Sequence, residues 1–216
     1  STLSAHSNHA KKATQKPQVL APGYQSLSYD APLTGSYSLP IIATAGDGKV
    51  LNMQGKPSRL HDFLADKYVV LSFIYTHCDD INGCPLATYV TSQVQNRLLE
   101  EKVLQNHVRF ISLSFDPVND TPEVMRNYGE NFSKDDFDWQ FLTTKSELEL
   151  EPILNKYSQS ILKDLDENGK ETGSISHILR VFLIDKKKQI RNIYSTSFLH
   201  PETVVNDIKT LALESS

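Results

Sequence analysis

The chain has 216 residues, a length that suits one domain with extensions, and its apolar fraction of 39% leaves part of it to polar tail. A net charge of −4, a pI near 6.0 and the absence of any sustained basic stripe exclude a general nucleic-acid binder. No apolar segment approaches the roughly 20 residues that span a bilayer, no signal-peptide pattern is present, and two cysteines are too few for a disulfide framework.

Residues 1–37 lack sustained periodicity. Up to Pro22 the chain is rich in Ser, Ala, Lys, Gln and His and reads as a flexible tail, with His6 and His9 solvated in it. From Tyr24 to Tyr37 tyrosines and prolines alternate with polar residues, as in an extended segment laid across a folded body. The folded domain is expected over residues 38–216. It opens with a first strand in SLPIIATA, a turn at Gly46-Asp47-Gly48 and a second strand in KVLNM. Ser58 is placed to cap a short helix, RLHDFLAD.

Tyr68–Tyr75 is a continuous apolar run, too short for a typical helix, and reads as a strand buried on both faces. It ends in Thr-His-Cys. After a five-residue loop containing Asn82-Gly83, Cys84-Pro85 opens a helix to about Lys102, since proline suits a position whose N–H would have no partner. His107–Phe115 is a second strand, stopped at Asp116-Pro117. Thr121-Pro122 starts a helix to about Phe132, Trp139–Leu142 is a short strand, and Ser146 to Glu149 forms a capping box for a helix to about Ser158. Ile161–Leu165 and a turn at Gly169 look like an inserted hairpin. His177–Asp185 and Gln189–Tyr194 form an antiparallel hairpin joined by a solvated turn at Lys186-Lys187-Lys188. Pro201 begins a last helix with Val204, Val205, Ile208 and Leu211 on one face. This order predicts an α/β protein, a mixed sheet with helices on both faces in the thioredoxin-like arrangement, which by itself licenses no function.

The chemistry collects at the end of the first buried strand. Cys84 stands at a helix N-terminus, where free N–H groups favour an anion and should lower the thiol pKa. Cys78 lies at the strand end, and the loop between them lets the sulfurs approach. Two soft donors permit a disulfide or a soft metal such as Cu(I). A third donor would be a histidine. His61 and His107 flank elements in polar settings, His200 precedes Pro201 as a helix cap, and His77 points away from its neighbour Cys78. His177 remains: it follows Gly173-Ser-Ile-Ser and begins an apolar strand expected beside the cysteine turn. Asp116–Pro122 could carry carboxylates to such a site, but reads first as a strand stop followed by a helix start.

THC, a short loop and Cys-Pro-Leu, together with SLSFDPVNDTPEVMRNY and a late histidine before an apolar strand, resemble the Sco copper-chaperone family (SCO1/SenC/PrrC type). The resemblance covers about Leu39 to Leu213. It implies a thioredoxin-like fold and copper, Cu(I) or Cu(II), held by Cys78, Cys84 and His177. It also implies delivery of copper to the binuclear centre of cytochrome c oxidase, or thiol–disulfide chemistry that prepares that centre. The partner would be a copper-receiving or disulfide-bearing protein such as an oxidase subunit. The location would be periplasmic or another extracytoplasmic membrane face, with any membrane tether upstream of Ser1. The five residues between Cys78 and Cys84, where the family pattern has three, are a departure that bears on metal geometry more than on disulfide closure. Two other readings stand beside it: a thiol–disulfide oxidoreductase using Cys78 and Cys84 without metal, and a thiol peroxidase with Thr76 ahead of Cys78.

Overall fold

The computed structural model describes residues 24–25, 27–80, 83–134 and 136–214. The tail expected over residues 1–22, with His6 and His9, and Asn82 of the cysteine loop lie outside the described residues. The strands are β1 (Ala43–Thr44), β2 (Lys49–Leu51), β3 (Pro57–Arg59), β4 (Tyr68–Ile74), β5 (Val108–Ser114), β6 (Trp139–Leu142), β7 (Ile161–Leu165), β8 (Glu171–His177), β9 (Val181–Ile184) and β10 (Gln189–Tyr194). The helices are α1 (Leu60–Leu64), α2 (Cys84–Leu98), α3 (Lys102–Gln105), α4 (Pro122–Glu130), α5 (Glu147–Lys156) and α6 (Pro201–Glu214).

Six strands form the central sheet in the order β1-β10-β9-β4-β5-β6. β4 is its axis: all seven residues are buried, with β5 parallel on one side and β9 antiparallel on the other. A strand covered on both faces has no use for polar alternation, which is why YVVLSFI is almost uniformly apolar. Side chains still alternate between faces. Phe73 points to the side where Tyr157, at the end of α5, meets it and Phe182. Tyr68 points to the other side, where its hydroxyl reaches Leu211 O of α6. α2 and α6 pack together on that second side, and α4 joins them through Thr88 Oγ1 and Tyr128 OH, 3.1 Å apart. Helices therefore cover both faces of a mixed sheet, and the fold is thioredoxin-like.

Several local expectations are corrected. The first strand shrinks to two residues at the sheet edge, paired with β10. Ser58 is not a cap: it lies within β3, which pairs with β2, and α1 is capped at Arg59, whose N–H donates to Asp62 Oδ2. The helix after Cys84 stops at Leu98, with a separate short turn at α3. His177 closes β8 of the small hairpin, and the apolar strand resumes only at Val181, so it does not begin that strand. The caps at Thr121 and Ser146 hold, each side-chain oxygen accepting the N–H three residues on.

Tyr24, Gly35 and Tyr37 are tied to α6 and to the residue pair just before it. Tyr24 OH donates to Leu199 O, Tyr37 OH donates to Asp207 Oδ1, and the Gly35 N–H donates to Thr210 Oγ1. Gly35 has φ of +77°, a backbone conformation that glycine adopts without strain.

Candidate metal centre

β4 delivers Cys78 four residues past its last ladder position, and α2 begins at Cys84 itself, with Pro85 at the start of the helix. The two thiols are not bridged, and they differ in surroundings: Cys84 is buried, at 1% exposure, whereas Cys78 is only partly covered. The Cys78 thiol is turned toward Asp80 O, 4.0 Å away. β8 brings in His177, whose Nε2 lies 3.7 Å from Cys84 Sγ although 93 positions separate them. The imidazole rests on the Phe115 ring, centroid to centroid 4.4 Å. Its Nδ1 is buried without a hydrogen-bond partner among the described residues, an uncommon state for a buried polar atom. A cavity of about 350 Å³ opens beside the sulfurs, lined by Tyr75, Cys78, Cys84, Pro85, Tyr89 and Tyr128 among others.

The electrostatics divide the pair in the direction opposite to the sequence expectation. The Cys78 thiol is lowered to about 4, chiefly because the Cys84 thiol hydrogen-bonds to it, with His177 and backbone groups adding to the effect against partial burial. Cys84 is pushed up by burial, then by its hydrogen bond to Cys78 and the negative charge there, and these outweigh the backbone N–H groups of Tyr75 and of Cys84 itself. Two adjoining sulfurs share one negative charge, and it rests on the one with more solvent.

In the segment Asp116–Pro122, one residue underlies the site. Asp120 is fully buried and accepts from Ser114 Oγ at 2.6 Å, from the Thr76 N–H and from Thr76 Oγ1. Burial raises its pKa, while the Ser114 and Thr76 bonds oppose that rise. Thr76 Oγ1 is thereby committed to Asp120, and the root of the cysteine loop is fastened to the loop after β5. Asp116 closes its own turn, accepting from Asn119 Nδ2. Nothing in the spacing of DPVNDTP shows which carboxylate turns inward, because that depends on where β4 ends.

The other histidines have separate partners. His61 Nε2 donates to Ala45 O, exposed His107 takes a hydrogen bond from Lys186 Nζ, and exposed His77 Nδ1 meets Thr76 Oγ1. His200 is buried under the Tyr24 ring rather than merely capping α6, although its carbonyl does accept the Val204 N–H.

A thioredoxin-like sheet with two thiols at the strand-to-helix turn and an imidazole beside Cys84 defines a thiol-bearing protein of the thioredoxin-like class. The chain belongs to the SCO1/SenC family, whose family model matches residues 43–213. It is 26% identical over 160 residues to the SCO1 protein homolog of Bacillus subtilis, covering 74% of this chain and 78% of that protein. Among solved structures, a SCO1/SenC family lipoprotein from Bacillus anthracis superposes with a TM-score of 0.65 at 28% identity, over 80% of this chain and 97% of that one. ScoI of Bradyrhizobium japonicum, solved with copper bound, gives a TM-score of 0.63 at 25% identity, over 77% and 98%. Among the described residues, no helix is long and apolar enough to cross a membrane.

Proposed function

We propose that this chain binds copper as cargo through Cys78, Cys84 and His177 and passes it to an acceptor protein, the copper centre of cytochrome c oxidase or a related respiratory protein being the acceptor that the family implies. The observation that carries the reading is the 3.7 Å between Cys84 Sγ and His177 Nε2. A soft ion bonded to sulfur at about 2.3 Å and to imidazole at about 2.0 Å holds those two atoms about 3.7 Å apart when the ligands are trigonal. No three His, Cys, Asp or Glu side chains among the described residues stand as a closed cage, so binding draws Cys78 in to complete the set. Its sulfur, already ionised near neutral pH, is the donor that loses least by doing so. Copper in ScoI of Bradyrhizobium japonicum supports the reading by relationship. The lipoprotein among the relatives supports an extracytoplasmic membrane face as the place of work.

Titrating the reduced chain with Cu(I) and Cu(II), following absorption and free thiols, tests this. One copper per chain is expected, with Cys78→Ser and His177→Ala each weakening it at least tenfold. Wild-type affinity in either variant would refute the assignment.

The unequal thiols favour a second reading on the same residues. Cys78 thiolate would attack a partner disulfide, forming a mixed disulfide and releasing one partner thiolate. Cys84, giving up its proton, would then attack Cys78 Sγ and release the second partner thiolate, leaving a Cys78–Cys84 disulfide and a reduced partner. Loss of two thiols from this chain matched by two gained on the partner for each disulfide reduced, with no copper kept after dialysis, would select it over the first.

A further inference from the structure

The third donor of this site rides on a hairpin that the main sheet does not hold. β7 and β8 form their own two-stranded sheet, and the ladder of β8 is made with β7. Two of the polar ties between the hairpin region and the body, Lys163 to Glu147 and Arg180 to Ser158 O, lie at the surface. Inside, a single hydroxyl does different work. Tyr75 OH donates to Ile175 O and accepts from the Ile175 N–H, both at 3.3 Å. Tyr75 is 3% exposed and Ile175 9%. Both polar groups of one β8 residue are thus bound by one side chain of the strand that leads to Cys78.

The placement links two donors. Tyr75 stands one residue beyond β4 and three before Cys78. Ile175 stands two before His177 on the same strand, so the two side chains share a face. The Tyr75 ring packs on Phe115, centroids 5.0 Å apart, and Phe115 in turn carries the His177 ring. Adjacent Thr76 is held by Asp120, which accepts from its N–H and from its hydroxyl. The end of the strand is therefore pinned at two successive residues, and one of the pins is the hairpin.

We infer that Tyr75 is the positioning residue of the site: its hydroxyl, clamped on the Ile175 peptide, sets His177 over the two sulfurs. This rests on the copper reading above for its consequence, not for its geometry. Tyr75→Phe removes the hydroxyl and keeps the ring. In the reduced chain it should weaken Cu(I) binding by about 10- to 100-fold, the usual effect of removing a group that orients a metal-binding histidine. It should also shift the sulfur-to-Cu(II) charge-transfer band as the imidazole nitrogen is lost. Leu162→Ala, a solvent-facing change on the same hairpin (Leu162 is 71% exposed), should do neither. Without metal, Tyr75→Phe should speed amide exchange at Ile175 at least tenfold and weaken the proton contacts between the His177 and Phe115 rings in NMR spectra.

Wild-type affinity, band position and ring contacts in Tyr75→Phe would overturn the inference while leaving copper binding intact. If the wild-type chain itself takes up no copper, the copper reading falls. The Ile175 exchange and the His177–Phe115 contacts then decide the role of Tyr75 alone, upheld by the expected changes and overturned by their absence.

Discussion

Cys78 and Cys84 are six positions apart and sit in different media, and their chemistry follows from that difference. A thiolate at Cys78 gives a direct prediction. An ordinary thiol, near 9.0, reacts with iodoacetamide about tenfold more slowly for each unit that pH drops below its pKa, because only the thiolate attacks. Cys78, lowered to about 4, should be alkylated at a constant rate between pH 5 and 8, with the rate falling only as pH drops through about 4. Mass spectrometry of the singly labelled chain should find the label on Cys78, not Cys84. A rate that climbs steadily to pH 8 would show that no stabilised thiolate exists. The same depression has a sign in stability: the folded chain has released this proton where the unfolded chain still holds it. The contribution is therefore complete above the unfolded value near 9.0 and is lost as pH falls through about 4.

At the scale of elements, the close approach of α4 to β6 shows how tightly the second layer fits. A Cβ on Gly129 would run into the Phe141 ring, a rigid neighbour on a buried strand. Gly129→Ala should cost about 1–3 kcal/mol by overpacking, read as a lower urea midpoint with unchanged slope; an unchanged midpoint would mean that α4 shifts freely. The β4–α2–β5 core was legible in the sequence because a seven-residue apolar run, a proline at the helix start and a second run each carry their own local physics. β3 was not: Pro57-Ser58-Arg59 has no strand character of its own and is extended because β2 pairs with it. His177 fell between these cases. HILRVFLID reads as one run, yet Ile178 is 68% exposed and the ladder restarts at Val181, so the histidine belongs to the hairpin. That His177 would lie beside the cysteine turn was expected from the order of the elements, and it rests 3.7 Å from Cys84 Sγ; the role of these residues as ligands is the proposal made above. The division of charge between the thiols could not be read from the sequence, since burial of Cys84 overrides its place at the helix start, and burial is a property of the whole fold.

On the scale of the molecule, Asp207 gathers the two ends of the chain. This buried carboxylate on α6 accepts from Tyr37 OH, from Tyr194 OH at 2.6 Å and from Asn192 Nδ2 at 2.9 Å. Burial, followed by the charge of Asp207, raises the Tyr194 pKa well above its ordinary value, so that tyrosine remains a donor throughout the working range. Asp207→Ala leaves three donors without their acceptor and should lower stability by about 2–4 kcal/mol in urea unfolding, while the pH profile of Cys78 alkylation stays as in the wild type. A changed profile would show that the two regions are coupled. Nearby, Arg191 ties Leu39 O to Asp185 and Glu214. The segment before the sheet is therefore clipped at four points to β10, to α6 and to the turn between them: Tyr24 to Leu199, Gly35 to Thr210, Tyr37 to Asp207 and Leu39 to Arg191. A mechanical load applied at Tyr24 would pull on these clips before it reached β4. The terminal strap thus acts as a strain relief, and a tug on that end of the chain would be spent on α6 and β10 before it widened the gap between sulfur and imidazole.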